Sequence, residues 1–323
     1  MTSLLMVTGA AGFIGRNVVA EVNRRGSSDI VLVDSLGTNE KWRNLVGLRF
    51  EDVVPPEGIW DWLRGRGRGS LSGIVHLGAC SSTTEADAEY LMRNNYRYTR
   101  GLCEWALANS TRFVYASSAA TYGDGSGGFS DEDAVTERLA PLNMYGYSKH
   151  VFDLWALRNK LFDRIVGLKY FNVFGPYEDH KGDMRSVVAK AYEEIRRTGK
   201  LSLFKSCREG IVDGEQRRDF IFVEDAVDVT LHFLAEGTAS GLLNCGTGIA
   251  RTWLDLGTAV FSSLGIAPAI EFVDMPVPLR DKYQYFTQAD TRKLRAAGYA
   301  KKFHTLEDGV DKYVRAYLTA RRP

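Results

Sequence analysis

Short apolar runs alternate with longer amphipathic stretches through the first half of the chain. The apolar runs, which we predict to be buried strands, are residues 4–8, 30–34, 74–77, 113–117 and 165–170. The stretches between them with a helical period are residues 13–25, 88–108 and 144–161. Strands that alternate with helices in this way are typical of a parallel sheet with helices on both faces. Strands that are apolar throughout fit such a sheet because both of its faces are covered.

The alternation loosens after residue 171. A different layout follows, with a helical pattern at 187–197, a strand at 201–204, a glycine-containing stretch at 207–216 and apolar strands at 220–223 and 242–244. We therefore predict an α/β fold, a Rossmann-like doubly wound parallel sheet with a smaller, discontinuous C-terminal domain. The first domain is predicted to span 1–171, with 219–247 returning to it, and the second to comprise 172–218 and 248–323.

Length and charge narrow the possible partners. The 323 residues include 41 Lys and Arg against 40 Asp and Glu, a formal net charge of +1, and this length favours about two domains. A near-neutral chain has no overall field to hold a polyanion, so nucleic acid is a poor default partner. The arginine-rich segment 64–70 is open to two interpretations, an RNA contact or a solvated loop. We favour the loop because three arginines release few counterions.

Cysteine usage and the amino-terminal run bear on the cellular compartment. The four cysteines form no CxxC pair, so neither a disulfide framework nor a metal site is predicted. The apolar run at 4–7 ends at Thr8 and Gly9, short of the roughly 7–15 apolar residues of a secretory signal. No run reaches the roughly 18 apolar residues of a membrane span. We expect a cytoplasmic chain without membrane contact.

A glycine-rich turn, GAAGFIG at 9–15, follows the first predicted strand and opens the first predicted helix. Glycines at this place let backbone N–H groups approach a pyrophosphate at the positive end of the helix, which predicts a dinucleotide site. Asp34 ends the second strand about 20 residues later, where an acidic residue binds the ribose 2′-hydroxyl of NAD. Lys41 and Arg43 follow closely and could instead hold the 2′-phosphate of NADP. On these residues alone the choice between the two cofactors stays open.

Tyr145 and Lys149 stand at positions i and i+4 of a predicted helix, so both side chains lie on one face. A tyrosine with an unperturbed pKa of about 10 is a poor base at neutral pH. A nearby ammonium stabilises the phenolate and lowers that pKa toward the working range. Ser117 and Ser118 end a predicted strand at the carboxyl edge of the sheet, where open α/β sheets bind ligands. A serine hydroxyl there can hydrogen-bond a substrate alcohol beside Tyr145.

These residues, in this order, resemble the extended short-chain dehydrogenase/reductase superfamily. Further motifs are similar to those of the ADP-L-glycero-D-manno-heptose 6-epimerase family, and the likeness runs from the first strand to the C-terminal helix. The motifs are CSSTTE at 80–85, SSAATYG at 117–123, YFNVFGP at 170–176, HKG at 180–182, RDF at 218–220 and YQYFTQAD at 283–290. The HKG and FTQAD stretches are typical of that family rather than of the whole superfamily.

The resemblance implies an isomerase that works through transient oxidation. A hydride leaves C6″ of the ADP-heptose substrate for a tightly held NADP, the 6″-ketone rotates, and the hydride returns to the other face. Such a scheme needs acid/base groups on two sides, and Tyr145 and Lys181 match the family's two catalytic residues. By the same resemblance Lys149 binds the nicotinamide ribose and tunes Tyr145, and Ser118 contacts the substrate.

The resemblance assigns further residues to the two ligands. Those assigned to the cofactor are Gly9, Gly12, Phe13, Ile14, Gly15, Asp34, Ser35, Lys41, Leu77, Gly78, Ala79, Cys80, Ser81, Asn94, Lys149 and Val173. Those assigned to the substrate are Ser118, Asn172, Asp183, Lys190, Phe204, Arg218 and Tyr283. Arg218 suits a diphosphate clamp because a guanidinium binds phosphate bidentately.

The chain departs from the family at a few of these positions. Leu77 stands where the family often has a glutamate, and Lys190 replaces a substrate-side histidine. A lysine that some members use for the adenosine 2′-phosphate is replaced near Pro56, which weakens NADP selectivity but leaves Lys41. The expected cofactor is therefore NADP, with NAD as the alternative.

Three other functions compete with this interpretation. A nucleotide-sugar 4,6-dehydratase carries an acidic pair after the strand-end serine, where this chain has Ala119 and Ala120. A nucleotide-sugar 4-epimerase needs only Ser, Tyr and Lys, and the HKG context of Lys181 argues against it. A non-catalytic dinucleotide sensor needs the glycine turn but not both Tyr145 and Lys149. The resemblance further implies a bacterial cytoplasmic enzyme of lipopolysaccharide core assembly, and a homo-oligomer that is a pentamer in the family.

Overall fold

The structure is a computed structural model that describes residues 4–65, 70–235, 237–280 and 283–320. Within these residues the strands are β1 (Leu4–Thr8), β2 (Ile30–Val33), β3 (Asp52–Val54), β4 (Leu71–His76), β5 (Arg112–Ser118), β6 (Val166–Tyr170), β7 (Asn172–Phe174), β8 (Leu201–Phe204), β9 (Arg217–Phe222), β10 (Gly241–Cys245), β11 (Ala250–Thr252) and β12 (Ile270–Val273). The α-helices are α1 (Phe13–Arg24), α2 (Ile59–Arg64), α3 (Ala88–Leu91), α4 (Tyr98–Ala108), α5 (Asp133–Thr136), α6 (Met144–Arg158), α7 (Val187–Thr198), α8 (Val223–Leu234), α9 (Trp253–Leu264), α10 (Val277–Arg280), α11 (Arg292–Ala296) and α12 (Leu306–Tyr313).

Shorter helical turns connect or extend these elements. A π-helical turn, Met92–Arg97, joins α3 to α4, so the predicted helix at 88–108 is one continuous rod with a bulge. A second π-helical turn, Val314–Leu318, extends α12. The 3₁₀ turns are Glu40–Leu45, Pro56–Gly58, Ala119–Tyr122, Leu161–Asp163 and Asp179–Met184.

Seven parallel strands form the large sheet, in the order β10-β6-β5-β4-β1-β2-β3. The direction in which strands are added reverses between β1 and β4, as in doubly wound folds. The α/β fold predicted from the alternating pattern is confirmed. Two smaller sheets accompany it: β9 pairs with β7 and β11, and β8 pairs with β12.

The side chains of β1 alternate between two helical layers, because successive residues of a strand point to opposite faces. Leu5 and Val7 pack into the apolar cluster that contains α1 and α8. Leu4 and Met6 pack into the cluster that contains α2, α4 and α6. All four side chains are buried. These two layers place α1, with the glycine turn, on one face of the sheet and α6, with Tyr145, on the other.

The segment 219–247, predicted to return to the first domain, divides between the sheets. β10 pairs with β6 at the edge of the large sheet, and α8 packs against this sheet. β9 instead hydrogen-bonds to β7 and β11, so the predicted strand at 220–223 lies in a smaller sheet, and Val223 begins α8. The domain boundaries themselves remain a prediction.

Two further observations concern possible partners. Among the described residues, no helix combines the length and the apolar character needed to cross a membrane. In the arginine-rich segment, Arg64 is exposed and forms an ion pair with Asp61, one turn earlier on α2. Arg66 and Arg68 lie outside the described residues.

Candidate active site

The carboxyl edges of the large-sheet strands open onto a cleft of about 720 Å³. Open α/β sheets bind their ligands at this edge, where the strand order reverses. The predicted cofactor residues that line the cleft are Gly9, Gly12, Phe13, Ile14, Gly15, Asp34, Lys41, Leu77, Gly78, Ala79, Cys80, Ser81, Lys149 and Val173. Ser118, Tyr145, Asn172 and Lys181 line the same cleft. The structure thus brings the predicted cofactor and catalytic residues together.

The glycine turn lies so close to neighbouring backbone that side chains would not fit. Gly9 has a φ of +67°, and a Cβ there would lie 2.8 Å from the backbone nitrogen of Gly78. A Cβ on Gly15 would overlap the carbonyl oxygen of Gly9. Helix α1 begins at Phe13, directly after the turn and at the cleft. The positive end of its dipole is therefore available to an anion such as a pyrophosphate.

Replacing Gly15 with Ala is expected to lower the free energy of unfolding by about 1–3 kcal/mol, because α1 must move away from the Gly9 carbonyl. Urea unfolding of the purified variant measures the loss. Gly127→Ala is the matched control, since a Cβ there meets open space, and its effect is expected to stay within about 0.5 kcal/mol. Equal effects of the two substitutions would contradict the close approach.

Asp34 is tied both to the glycine turn and to Lys41. Its Oδ2 accepts a hydrogen bond from the Ala11 N–H (2.8 Å), and its Oδ1 forms an ion pair with Lys41 Nζ (2.6 Å). Lys41 Nζ also donates to the Ser35 carbonyl oxygen (3.1 Å). This end of the cleft therefore offers a carboxylate suited to a ribose hydroxyl and an ammonium suited to a phosphate.

Backbone packing places Tyr145 beside Ser118. The side chain of Asn143 caps α6 by accepting a hydrogen bond from the Gly146 N–H (2.8 Å). A Cβ on Gly146 would lie 2.7 Å from the carbonyl oxygen of Ala120, so the start of α6 lies against the turn that follows β5. Burial raises the pKa of Tyr145, and a hydrogen bond with Ser118 opposes the rise.

Lys149 is buried one turn further along α6. Its Nζ donates to the carbonyl oxygen of Ala116 on β5 (2.9 Å). Burial lowers the pKa of Lys149 to about 8, against the opposing effects of Asp153 and Cys80. The predicted lowering of the Tyr145 pKa by this ammonium is not what the structure shows, because burial of the phenol dominates and Lys149 bonds to the backbone. One face of α6 therefore holds a half-buried phenol and a buried ammonium that loses its proton more readily than an exposed lysine.

Lys181 reaches the cleft from the Asp179–Met184 turn. Its Nζ lies 5.3 Å from the centroid of the Phe13 ring. Burial lowers the pKa of Lys181, Glu178 opposes the drop, and Lys190 adds to it. A lysine with a lowered pKa is a better proton acceptor near neutral pH than an exposed one.

The chain around Lys181 is anchored on both sides of the turn. Glu178 is fully buried and accepts hydrogen bonds from the Ser186 N–H (2.6 Å) and the Tyr313 hydroxyl (3.0 Å). Asn44 Nδ2 lies 2.9 Å from a carbonyl oxygen of the glycine turn and 3.1 Å from His180 Nδ1. These contacts connect the backbone that presents Lys181 to the predicted cofactor site.

Some predicted residues do not line the cleft, namely Ser35, Asn94, Asp183, Lys190, Phe204, Arg218 and Tyr283. Arg218 is buried, with its Cζ 5.1 Å from the ring centroid of Tyr283 and 5.7 Å from that of Trp253. Burial lowers the pKa of Arg218 to about 10. Trp253 lines the cleft, and its Nε1 donates to the Tyr283 hydroxyl (2.8 Å). Arg218 and Tyr283 therefore lie outside the cleft and contact Trp253, which lines it.

Sequence reasoning missed Asn95, the neighbour of Asn94. Asn95 is fully buried, accepts a hydrogen bond from the Cys80 N–H (2.9 Å), and donates to the Cys80 carbonyl oxygen (3.0 Å) and to Ser148 Oγ (2.9 Å). Asn94 is half-buried and donates to the Asn95 side chain (3.2 Å). Asn95 thus ties the loop after β4 to α6. An asparagine at a position where the helical period calls for an apolar residue is the signal that points to it.

The chain is similar over nearly its whole length to proteins of known family. The NAD dependent epimerase/dehydratase family matches residues 5–246. A Nitratidesulfovibrio vulgaris protein named ADP-L-glycero-D-manno-heptose-6-epimerase is 54% identical over 321 residues, which cover 99% of each chain. The crystal structure of the Helicobacter pylori ADP-L-glycero-D-manno-heptose-6-epimerase has a TM-score of 0.81 and 26% identity, covering 99% of this chain and 97% of that one. The Thermus thermophilus UDP-glucose 4-epimerase structure, a complex with NAD, has a TM-score of 0.76 and 25% identity, covering 98% and 99%.

Proposed function

This chain belongs to the NAD dependent epimerase/dehydratase family, and we propose that it inverts C6″ of ADP-D-glycero-D-manno-heptose to give ADP-L-glycero-D-manno-heptose. One observation carries the proposal: Tyr145 and Lys181, two side chains able to transfer protons, enter one cleft from different elements beside the glycine turn. Inversion at one carbon calls for such a group on each face of the intermediate. The relative with 54% identity bears the name of this activity.

A nicotinamide dinucleotide suits the residues of the cleft. The glycine turn has no side chains at the positions where a Cβ would collide with neighbouring backbone. The Asp34 carboxylate lies beside this turn. When bound, the oxidised nicotinamide supplies the acceptor for a hydride from the substrate carbon. The residues proposed to hold the dinucleotide are the glycine turn at 9–15, the loop at 77–81, Asp34, Lys41 and Lys149.

Tyr145 and Lys181 are proposed to divide the proton transfers. In the oxidising half, one of them takes the proton of the C6″ hydroxyl as the C–H electron pair leaves as a hydride. The resulting 6″-ketone turns its other face, and the second group donates a proton to the ketone oxygen as the hydride returns. Ser118, which hydrogen-bonds Tyr145, positions that oxygen. Arg218, behind Trp253, is proposed to neutralise the diphosphate of the substrate.

Mass spectrometry of the small molecules released from the purified protein, followed by incubation with ADP-D-glycero-D-manno-heptose, tests this proposal. We expect a bound nicotinamide dinucleotide and conversion to the L-glycero epimer, read from the NMR signal of the C6″ proton. UDP-glucose serves as the parallel substrate, because its conversion would indicate a 4-epimerase. Bound dinucleotide without turnover of either nucleotide sugar would favour a non-catalytic sensor.

Within that function, the proposed cofactor is NADP, because Lys41 places an ammonium beside Asp34. Lys41→Met is expected to weaken NADP binding about ten- to a hundred-fold, the worth of a hydrogen bond to a charged group, with NAD binding much less affected. Calorimetric titration of cofactor-stripped protein with each dinucleotide measures the difference. Lys200→Met, at an exposed lysine next to β8, is the control. Equal loss of NADP and NAD binding in Lys41→Met would contradict NADP selectivity.

The assembly and location follow the family resemblance. We expect a homo-oligomer, with the pentamer of the family as the specific expectation, and a bacterial cytoplasmic enzyme of lipopolysaccharide core assembly. Light scattering on the eluting protein measures the mass of the assembly directly. A monomer at assay concentration would contradict the expected oligomer.

A further inference from the structure

A fully buried ion pair lies next to the catalytic residues and takes no part in the proposed proton transfers. Lys169 on β6 and Asp153 on α6 are both 0% exposed, with Nζ 3.2 Å from Oδ2. Burying two charges is costly unless further hydrogen bonds satisfy them. Asp153 also accepts hydrogen bonds from the Tyr115 hydroxyl (2.7 Å) and from Ser117 Oγ (2.7 Å). The carboxylate therefore gathers three donors in the interior.

This carboxylate joins the two elements that carry the proposed active site. Its two hydroxyl donors come from one face of β5, the strand that ends at Ser118. Asp153 itself lies one helical turn beyond Lys149 on α6, whose first turn carries Tyr145. A single buried group thus sets the distance between the strand that presents Ser118 and the helix that presents Tyr145 and Lys149.

Lys169 is connected to the backbone of Ser118 through Thr121. Its Nζ donates to Thr121 Oγ1 (2.8 Å), and the Thr121 hydroxyl donates to the Ser118 carbonyl oxygen (2.8 Å). Gly167, on the same strand as Lys169, leaves room for the network, because a Cβ there would collide with the Tyr115 hydroxyl. The ion pair is therefore connected to Ser118 on both sides along the chain. Asp153 binds Ser117, which precedes it, and Lys169 binds Thr121, which follows it.

We propose that Asp153 and Lys169 are positioning residues for the epimerase reaction, whose buried ion pair holds Ser118, Tyr145 and Lys149 in one arrangement and sets the charge that faces Lys149. This inference rests on the roles proposed above for those three residues. Neither member of the pair lines the cleft, so both act through other residues.

The charges around Lys149 support this assignment. The titratable groups that face it are Asp153 and Tyr145 on its own helix, Cys80 in the loop after β4, and His76 on β4. Asp153 raises the pKa of Lys149 against the effect of burial. Burial lowers the pKa of His76 to about 3, so His76 stays neutral at the working pH. Asp153 is thus the buried anion that favours the protonated form of Lys149.

Opposite charge changes in the pair test the proposal. Asp153→Asn removes the anion, so the pKa of Lys149 is expected to fall by about one unit or more. Lys169→Met removes a cation next to that anion, so the pKa of Lys149 is expected to rise. Two readouts follow the change: ¹³C NMR of lysine Cε, with the Lys149 signal assigned by its loss in Lys149→Met, and the pH profile of kcat. The alkaline limb of kcat should move to lower pH in Asp153→Asn and to higher pH in Lys169→Met.

The control is Asp163→Asn, at an exposed carboxylate just beyond α6, which should leave both readouts unchanged. Shifts of the same sign in Asp153→Asn and Lys169→Met, or no shift in either, would overturn the electrostatic part of the proposal. The NMR titration needs no substrate. It therefore separates failure of this inference from failure of the proposed function.

A milder substitution covers the case in which the charge variants do not fold. Thr121→Val cuts the connection from Lys169 to the Ser118 carbonyl and leaves every charge in place. We expect kcat to fall about two- to ten-fold, with KM for the nucleotide sugar and the Lys149 titration unchanged. Thr136→Val is the matched control, because among the described residues the buried Thr136 hydroxyl has no hydrogen-bond partner. Equal kcat values in the two variants would overturn the positioning part of the proposal.

Discussion

Replacing Tyr145 with Phe is expected to lower the rate of C6″ epimerisation by about 10²–10⁴-fold, the usual contribution of one general acid/base group. The ring still fills its place in the cleft, and only the hydroxyl that hydrogen-bonds Ser118 is lost. Cofactor content should stay at the wild-type level, because the glycine turn and the Asp34–Lys41 pair are untouched. NMR of the product mixture measures the rate, and mass spectrometry of the released dinucleotide measures cofactor retention.

Tyr147 supplies the matched control for this substitution. It lies two residues further along α6, is 48% exposed and does not line the cleft. Tyr147→Phe is expected to keep the epimerisation rate within about two-fold of wild type, since surface substitutions away from a site have small effects. If Tyr145→Phe turns over as fast as Tyr147→Phe, Tyr145 is not an acid/base group of the reaction.

Replacing Lys181 with Met is the second change with a large expected effect. Methionine keeps most of the aliphatic length of Lys181 and removes the amine, which lies 5.3 Å from the centroid of the Phe13 ring and whose pKa burial lowers. We expect a loss of about 10²–10⁴-fold in epimerisation, equal in kind to that of Tyr145→Phe. Lys302→Met, at an exposed lysine, is the control and should be close to wild type. A normal rate in Lys181→Met would rule out the two-base mechanism.

The two catalytic variants should also differ from each other. If Tyr145 and Lys181 serve opposite faces of the ketone, each single variant keeps the group that oxidises one epimer. Near-ultraviolet absorbance of the reduced nicotinamide should therefore appear with one ADP-heptose epimer in Tyr145→Phe and with the other epimer in Lys181→Met. Reduction of the cofactor by the same epimer in both variants would show that the two residues do not divide the faces.

Local apolar patterns account for much of the fold. β1 and β8 have the predicted limits 4–8 and 201–204, and the predicted helix at 13–25 differs from α1 by one residue. The strands absent from the prediction are the short β3, β7, β11 and β12. β3, β7 and β11 contain only three residues each, and the four residues of β12 are mostly exposed, so no buried apolar run marks such a strand. Its existence depends on hydrogen bonds to a partner strand that is distant in sequence.

The residues of the candidate site also fall into those that local sequence predicts and those that it does not. Short motifs and spacings along the chain were enough to predict the glycine turn, Asp34 and the Tyr145–Lys149 pair. Lys181 was found only through resemblance to a family. Its position in the cleft depends on a turn whose anchors, Asn44 and Tyr313, come from both ends of the chain.

Some contacts of the site could not be predicted from spacings along the chain, because they form only between distant segments of the folded protein. Lys149 bonds to Ala116, and Asp153 meets Lys169, because strands β5 and β6 bring distant segments against α6. Burial then changes the chemistry of these groups, lowering the pKa of Lys149 and raising that of Tyr145. Residue types and short spacings indicate which groups can take part in a reaction. Their hydrogen-bond partners and protonation depend on desolvation and on contacts between distant residues, and these exist only once the chain is packed.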